Sequence, residues 1–231
     1  MKVYQNPEEA EYEFRVLREI RRASPKTFTV PRPIELVKAP KQSILVMERI
    51  EGQEIQSDIN RYLLFRDKTA LVTLTSLGRA LREFHAMDIG GLRNGFLPTS
   101  ELRIREDTRR LSRDVLGLSV QEVIAECIAG SRGLDERVFR LVNLHGESYF
   151  SHVMINDGKF VLVDFHEACR GPAFYDLATF DISLYSSLLL PARCAKSLDP
   201  LVVAFWKGYL KGQPHKETMR AGEIYVALRA L

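Results

Sequence analysis

The run from Leu144 to Phe165 constrains the fold more than any other part of this chain. An apolar strand ends in the turn His145-Gly146-Glu147, which carries an acid, and a second polar side chain, His152, follows Glu147 by five residues. Val153-Met154-Ile155, then Asn156-Asp157-Gly158, then Lys159 to Val163 read as a hairpin, with apolar runs on either side of an Asp-Gly turn. The hairpin returns the chain to a second acid, Asp164. Glu147, His152 and Asp164 are thereby expected at one end of a small sheet. That grouping suits phosphoryl transfer, in which one carboxylate accepts the attacking hydroxyl's proton while other ligands hold a metal on the phosphates.

With 231 residues, 45% of them apolar and 27% charged, the chain can bury a proper core as one large domain or two small lobes. A net charge of +3, evenly spread, gives no footprint for nucleic acid. Cys127, Cys169 and Cys194 follow neither metal-ligand nor paired spacing, which fits a reduced, cytoplasmic setting. The N-terminus runs into charged residues after Val3 and Tyr4, so no signal peptide is expected. The apolar runs Leu188 to Pro191 and Leu201 to Trp206 are too short to make a transmembrane segment. The strand-like run Ser43 to Ile50 ends at Glu51-Gly52-Gln53, which divides the sequence in two. Residues 1–52 carry a short strand, a helix and a strand; residues 53–231 are mostly helical apart from the hairpin.

Asn6-Pro7-Glu8-Glu9 starts a helix: Asn caps, Pro suits the first helical position, and Glu9 stands where a capping box places its acid. Ala10, Phe14, Leu17 and Ile20 fall on one stripe at helical pitch. Glu13 projects into that stripe, whereas Glu11 and Glu19 point away. A carboxylate there is costly to bury without a cation, and Lys2 is available. On these residues alone two readings stay open: Glu13 pairs with Lys2, or it sits at the boundary and reaches solvent. Further on, Leu74, Leu77, Leu81 and Phe84 give an amphipathic helix that ends near His85-Ala86-Met87 and is stopped by Gly90-Gly91. His85 reads as a packed histidine at its end.

Taken together, these residues resemble the protein-kinase-like superfamily. By that resemblance Lys2 is the strand lysine that contacts nucleotide phosphates, and Glu13 is its helix partner. Ser43 to Gly52, containing Leu45-Val46-Met47-Glu48-Arg49, resembles the last front-lobe strand and the hinge, so that backbone groups of Glu48, Arg49 and Ile50 would hold adenine. The spacing through Val30-Pro31-Arg32-Pro33, the long stretch between His85 and His145, and Gly171-Pro172-Ala173-Phe174-Tyr175-Asp176-Leu177-Ala178 are similar to the aminoglycoside phosphotransferase and choline kinase branch. The resemblance runs from Lys2 to about Ser187. It implies ATP and a divalent metal, Mg2+ or Mn2+, with Asp164 the main metal ligand.

The catalytic loop departs from that branch twice. Glu147 stands where the branch has an aspartate base, and His152 where it has a metal-binding asparagine. An acid followed by Tyr149 and then His152, with Asp164-Phe165-His166 at the metal acid, is instead similar to the lipopolysaccharide-core heptose and Kdo kinases. A glutamate is nearly as acidic as an aspartate, so it can accept a proton. Its extra methylene moves the carboxylate by roughly 1 Å, and misplacement on that scale can cost about 100-fold. Magnesium prefers hard oxygen ligands, so His152, although it stands at the metal position, is expected to hold the loop by hydrogen bonding. Asp176, at a helix start, is expected to cap it or bond the catalytic loop, and His145 and Gly146 to shape the loop backbone.

Between the two helical parts, Arg103, Arg105, Arg109, Arg110 and Arg113 alternate with Glu106, Asp107 and Asp114. They read either as a solvated face of mixed charge or as a basic wall suited to an anionic saccharide.

The expected architecture is therefore α+β: a two-lobed protein-kinase-like fold with an abbreviated N-terminal lobe and a mainly helical C-terminal lobe. Family members carry two strands and a phosphate-covering loop ahead of the lysine with which this chain starts. A misassigned start, a fragment or a loss of nucleotide binding would each account for the shortening. The expected function is ATP-dependent phosphorylation of a hydroxyl on a saccharide or other small metabolite. The alternative is a catalytically impaired homologue that serves as a binding or regulatory module.

Overall fold

In the computed structural model, which describes residues 1–39, 42–94, 141–187 and 198–211, Asn6 opens helix α1 (Pro7–Ala23) through its side chain. Its Oδ1 accepts the Glu8 N–H at 3.0 Å and its Nδ2 donates to Glu9 Oε1 at 3.2 Å. Acids in the first turn and Arg21 and Arg22 in the last complement the helix dipole. Ala10, Leu17 and Ile20 are buried as the stripe requires, together with Tyr12, Val16 and the carboxylate of Glu13.

This helix packs on an antiparallel sheet ordered β1-β4-β3, formed by β1 (Lys2–Tyr4), β3 (Pro33–Ala39) and β4 (Gln42–Met47). Strand β3 is absent from the sequence reading, and its composition explains why. It is an edge strand starting at Pro33, with Ile34 55% exposed and Val37 40% exposed, so no apolar alternation marks it.

The second sheet, ordered β2-β9-β8-β5, holds the hairpin. Strands β8 (Val153–Asn156) and β9 (Lys159–Leu162) are joined by Asp157 (φ 48°) and Gly158 (φ 73°). Two positive φ values make the tight turn whose twist matches the strands, and Asn156 accordingly joins the ladder opposite Lys159. Strand β2 (Phe28–Thr29) runs parallel to β9, and β5 (Gln53–Glu54) antiparallel to β8. Part of the front segment is thus built into the hairpin's sheet. A third sheet, β6-β10-β7, pairs β10 (Cys169–Pro172) with β7 (Leu141–Leu144) and with β6 (Arg93–Asn94).

The helices are α2 (Gln56–Phe65), α3 (Thr69–Ala86), α4 (Phe174–Ser187) and α5 (Asp199–Tyr209). Leu74, Leu77, Leu81 and Phe84 of α3 are all buried. Phe84 lies edge-on to Phe28 (centroids 6.0 Å apart) and to Phe165 (5.5 Å), so one aromatic column ties the front segment, α3 and the loop after Asp164 together. No helix among the described residues is long and apolar enough to cross a membrane.

Helices α3 and α5 cross with their backbones nearly touching. A Cβ on Gly78 would lie 2.1 Å from the Phe205 carbonyl oxygen, and one on Gly208 1.9 Å from that of Thr75. Alanine in a helix is ordinarily better than glycine by about 1 kcal/mol. Here the added methyl must push two backbones apart, so Gly78→Ala is expected to destabilise the chain by about 1–3 kcal/mol. Urea unfolding measures this, and a raised midpoint would show that the helices part without loss.

Candidate active site

Strand β1 places Lys2 between two carboxylates. Its Nζ sits between Glu13 Oε2 (3.0 Å) and Asp164 Oδ1 (2.5 Å). The other oxygen of Glu13 accepts the Phe165 N–H at 2.9 Å. Glu13 is only 1% exposed, so these contacts are what make its burial tolerable, and of the two readings the structure adopts the ion pair. The preceding residue on α1 adds a second tie, because the Tyr12 hydroxyl donates to the Ala168 carbonyl and accepts the Arg93 N–H at 3.1 Å. Helix α1 therefore grips the segment 164–168 through two adjacent side chains.

Beside Asp164 lies the turn between β7 and β8, which carries Glu147. Asp176, buried at the start of α4, accepts the backbone N–H of His145 at 2.7 Å and of Gly146 at 3.0 Å. It also accepts from His85 Nε2 at 3.0 Å, whose Nδ1 in turn takes the Tyr209 hydroxyl at 2.8 Å. Asp176 anchors the loop, as its position at a helix start suggests, while His85, expected only to pack at the end of α3, also holds Asp176 in place. Gly146 has φ +86°, and a Cβ there would lie 2.2 Å from the Glu167 carbonyl oxygen, so no larger residue fits. His145 donates from Nε2 to the Val163 carbonyl at 2.9 Å and packs its ring 4.4 Å from that of Phe165. Burial, outweighing the nearby Asp176 carboxylate, pushes its imidazole down to about 4, so it is neutral at pH 7.

His152 donates from Nδ1 to the Glu147 carbonyl at 2.9 Å, which is the loop-holding bond expected of it. Its Nε2 comes no nearer than 3.9 Å to Asp164 Oδ2. A different histidine lies against the acid: His166 Nδ1 is 2.6 Å from Asp164 Oδ1. Burial works to raise the Asp164 carboxyl, but the hydrogen bonds from His166 and Lys2 outweigh it and hold the group well below the usual carboxylate range. The same bond raises the His166 imidazole.

Glu147, Asp164 and His166 offer three donor atoms that all lie within 4.8 Å of one another. Two carboxylates and an imidazole so arranged fit a divalent cation. Among the described residues, none hydrogen-bonds the Glu147 carboxylate, which leaves it open to a ligand or a proton. His166 enters the sequence analysis only within the run Asp164-Phe165-His166, without a role of its own. Its signal was the spacing: with Phe165 fully buried, the residues on either side of it are directed back to one polar side.

The hinge run is differently committed than the resemblance implies. The Glu48 N–H donates to the Arg32 carbonyl at 2.9 Å, and the Glu48 carboxylate accepts from the Arg32 N–H (2.8 Å) and Arg21 (3.1 Å). Glu48 thus staples the strand end to the segment before β3. Among the described residues the backbone groups of Arg49 and Ile50 carry no such bond. The arginine-rich stretch from Arg103 to Arg113 lies outside the described residues.

A sheet-rich front, a helical back and a lysine–glutamate pair beside a metal-type acid define the protein-kinase-like fold. Within it the chain belongs to the phosphotransferase enzyme family, whose profile matches residues 2–221. No curated protein matches it in sequence. Similar solved structures include a choline/ethanolamine kinase family protein from Mesorhizobium loti (15% identity, TM-score 0.61), with 98% of this chain and 66% of that one covered. A macrolide 2'-phosphotransferase from Brachybacterium faecium is 19% identical, with TM-score 0.58 and 95% and 72% covered. An amicoumacin kinase, solved in complex with AMP-PNP, Ca2+ and Ami, is 16% identical, with TM-score 0.62 and 94% and 67% covered. This chain therefore spans about two thirds of the length of the first and last of these.

Proposed function

We propose that this chain is an ATP-dependent phosphotransferase acting on a hydroxyl of a saccharide, of lipopolysaccharide-core type, or of another small metabolite. The observation that carries this reading is the Glu147 carboxylate, free of hydrogen bonds among the described residues and within 4.8 Å of donor atoms of His166 and of Asp164, which Lys2 bonds. Residues 1–52 serve as the nucleotide-binding side and residues 53–231 as the catalytic and substrate side. Family membership, and the AMP-PNP and Ca2+ in the amicoumacin kinase structure, support a nucleotide and a divalent cation here. The saccharide rests on the spacing of Glu147, Tyr149 and His152 and on Asp164-Phe165-His166.

When bound, ATP with Mg2+ or Mn2+ supplies the phosphoryl group and neutralises charge on it. Lys2, aimed by Glu13, binds the phosphates, exchanging its contact to Asp164 for them. Asp164 holds the cation, with His152 keeping the loop in register behind it. The adenine falls to the backbone of Arg49 and Ile50 and to the Glu48 carbonyl, since the Glu48 N–H is spent on Arg32. Glu147 takes the acceptor's hydroxyl proton as its oxygen bonds to the γ-phosphorus and ADP leaves.

A second reading has an observation of its own. The direct 2.5 Å bond from Lys2 to Asp164 satisfies both groups without nucleotide, as a binding module with no turnover would have it. Thermal unfolding with ATP and Mg2+ or Mn2+ separates the two. A ligand at about 100 times its dissociation constant stabilises by about 2.7 kcal/mol, so millimolar nucleotide reveals even weak binding. Stabilisation is expected, with its metal-dependent part lost in Asp164→Ala. A well-folded sample that shows no shift at millimolar nucleotide leaves the binding module ahead.

A further inference from the structure

Asp164 stands between two imidazoles, and they meet different oxygens. His166 Nδ1 approaches Oδ1 at 2.6 Å, while His152 Nε2 faces Oδ2 from 3.9 Å. Only His166 forms a trio with Asp164 and Glu147 whose donor atoms lie within 4.8 Å of one another. Donors on one cation, each about 2.0–2.3 Å from it, lie within roughly 4.5 Å of one another, so small side-chain rotations suffice. A second observation concerns the far side of the ring. Histidines that bind metal usually direct their other nitrogen at a carboxylate or carbonyl, which fixes the ring. His166 Nε2 lies 3.7 Å from Glu167 Oε1, beyond hydrogen-bond distance, so a short approach of this exposed carboxylate would complete such an arrangement.

We propose that Glu147, Asp164 and His166 form a mixed oxygen–nitrogen metal centre, with His166 the nitrogen ligand, that takes a transition-metal dication in preference to Mg2+. The proposal rests on the phosphotransferase reading and specifies its metal. Imidazole is a softer donor than magnesium accepts readily, whereas first-row transition metals bind it well. It also gives the glutamate a reason. The longer side chain lets one oxygen of Glu147 meet the cation at the Asp164–His166 edge while the other faces the acceptor hydroxyl.

The test uses Mn2+ as a paramagnetic probe on the full chain, with 15N introduced only in histidine. Pulsed electron–nuclear double resonance should show a 15N coupling to bound Mn2+, lost in His166→Gln and kept in His152→Gln. His166→Asn serves as a second variant where the glutamine disturbs folding, which circular dichroism checks. Losing an outer-shell partner alone costs about 10- to 100-fold in metal affinity, and His166→Gln should weaken Mn2+ by at least that range. In the wild type, Mg2+ should compete for the site at least about 10-fold less well than Mn2+. Bound Mn2+ without a 15N coupling, or a coupling that survives His166→Gln or disappears in His152→Gln, overturns the proposal. Those results leave phosphoryl transfer standing, because an oxygen-only or His152-bearing centre would still serve it. Absence of Mn2+ binding overturns the proposal as well, and the phosphotransferase reading is then judged by Mg2+-supported release of ADP.

Discussion

Glu147→Gln is expected to slow phosphorylation by about 100- to 10,000-fold, the range in which removal of a positioned general base falls. The carboxylate is the one acid between the end of β7 and the start of β8, and among the described residues nothing hydrogen-bonds it. The loop that presents it is held by Asp176, His85 and Gly146, none of which hydrogen-bonds the Glu147 carboxylate, so the substitution should leave the fold intact. Glu147→Asp separates a tuned site from a degenerate one. If the pocket is built around the longer acid, aspartate withdraws the carboxylate by about 1 Å and turnover falls about 100-fold, with nucleotide still bound at saturating metal. If glutamate is a remnant, aspartate restores or raises activity. Single-turnover assays with ATP and a panel of saccharides measure both variants. Equal turnover by Glu147→Gln and the wild type, with nucleotide bound, would sink the base assignment.

The parts of this architecture that the sequence made legible are those whose signals are local and strong. Asn6-Pro7 caps α1, Ala10, Leu17 and Ile20 mark its buried stripe with Phe14 half-buried beside them, Asp157-Gly158 turns the hairpin, and Leu74 to Phe84 line α3. Strands β2, β5 and β6 are two residues long, too short to show any period, and they form only because a distant partner offers a free edge. Strand β10 runs through Gly171 and Pro172 and reads as a turn until β7 lies beside it. The same logic divides the site. A carboxylate on an apolar stripe announces that Glu13 needs a cation, and the acid-to-acid spacing announces Glu147 and Asp164. The commitment of the Glu48 N–H to Arg32 arises past a register shift between Pro33 and Glu35, which no pattern of side chains encodes. His166 stands two residues after an acid in the run Asp164-Phe165-His166, but nothing in the sequence says that Glu147 lies beside the two of them.

Lys2→Met and Glu13→Gln are expected to lower nucleotide affinity together rather than independently. Breaking a fully buried ion pair by removing one partner costs about 3–5 kcal/mol, but this pair is buried on one side only. The Lys2 side chain is 30% exposed and keeps Asp164 when Glu13 is neutralised, so the stability loss is discounted by solvent and should be small. In Glu13→Gln the amide oxygen can still accept the Phe165 N–H, so the loop after Asp164 is retained. Glu13→Ala orphans that N–H and is expected to cost about 1–3 kcal/mol, which isolates the backbone contact from the ion pair. What Glu13→Gln removes is aim: the ammonium settles on Asp164 alone, the acid proposed to hold the cation. Nucleotide binding therefore weakens in either single variant, and the double variant should be no worse, a coupling of about 0.5–3 kcal/mol. Metal alone should move the opposite way in Lys2→Met, because a positive charge 2.5 Å from Asp164 Oδ1 has been taken off the cation's ligand. Calorimetric titration of the four proteins with Mn2+, then with ATP and Mn2+, measures both signs. Fully additive losses for nucleotide, with metal affinity unchanged by Lys2→Met, would mean that the bridge from Glu13 through Lys2 to Asp164 does not govern the site.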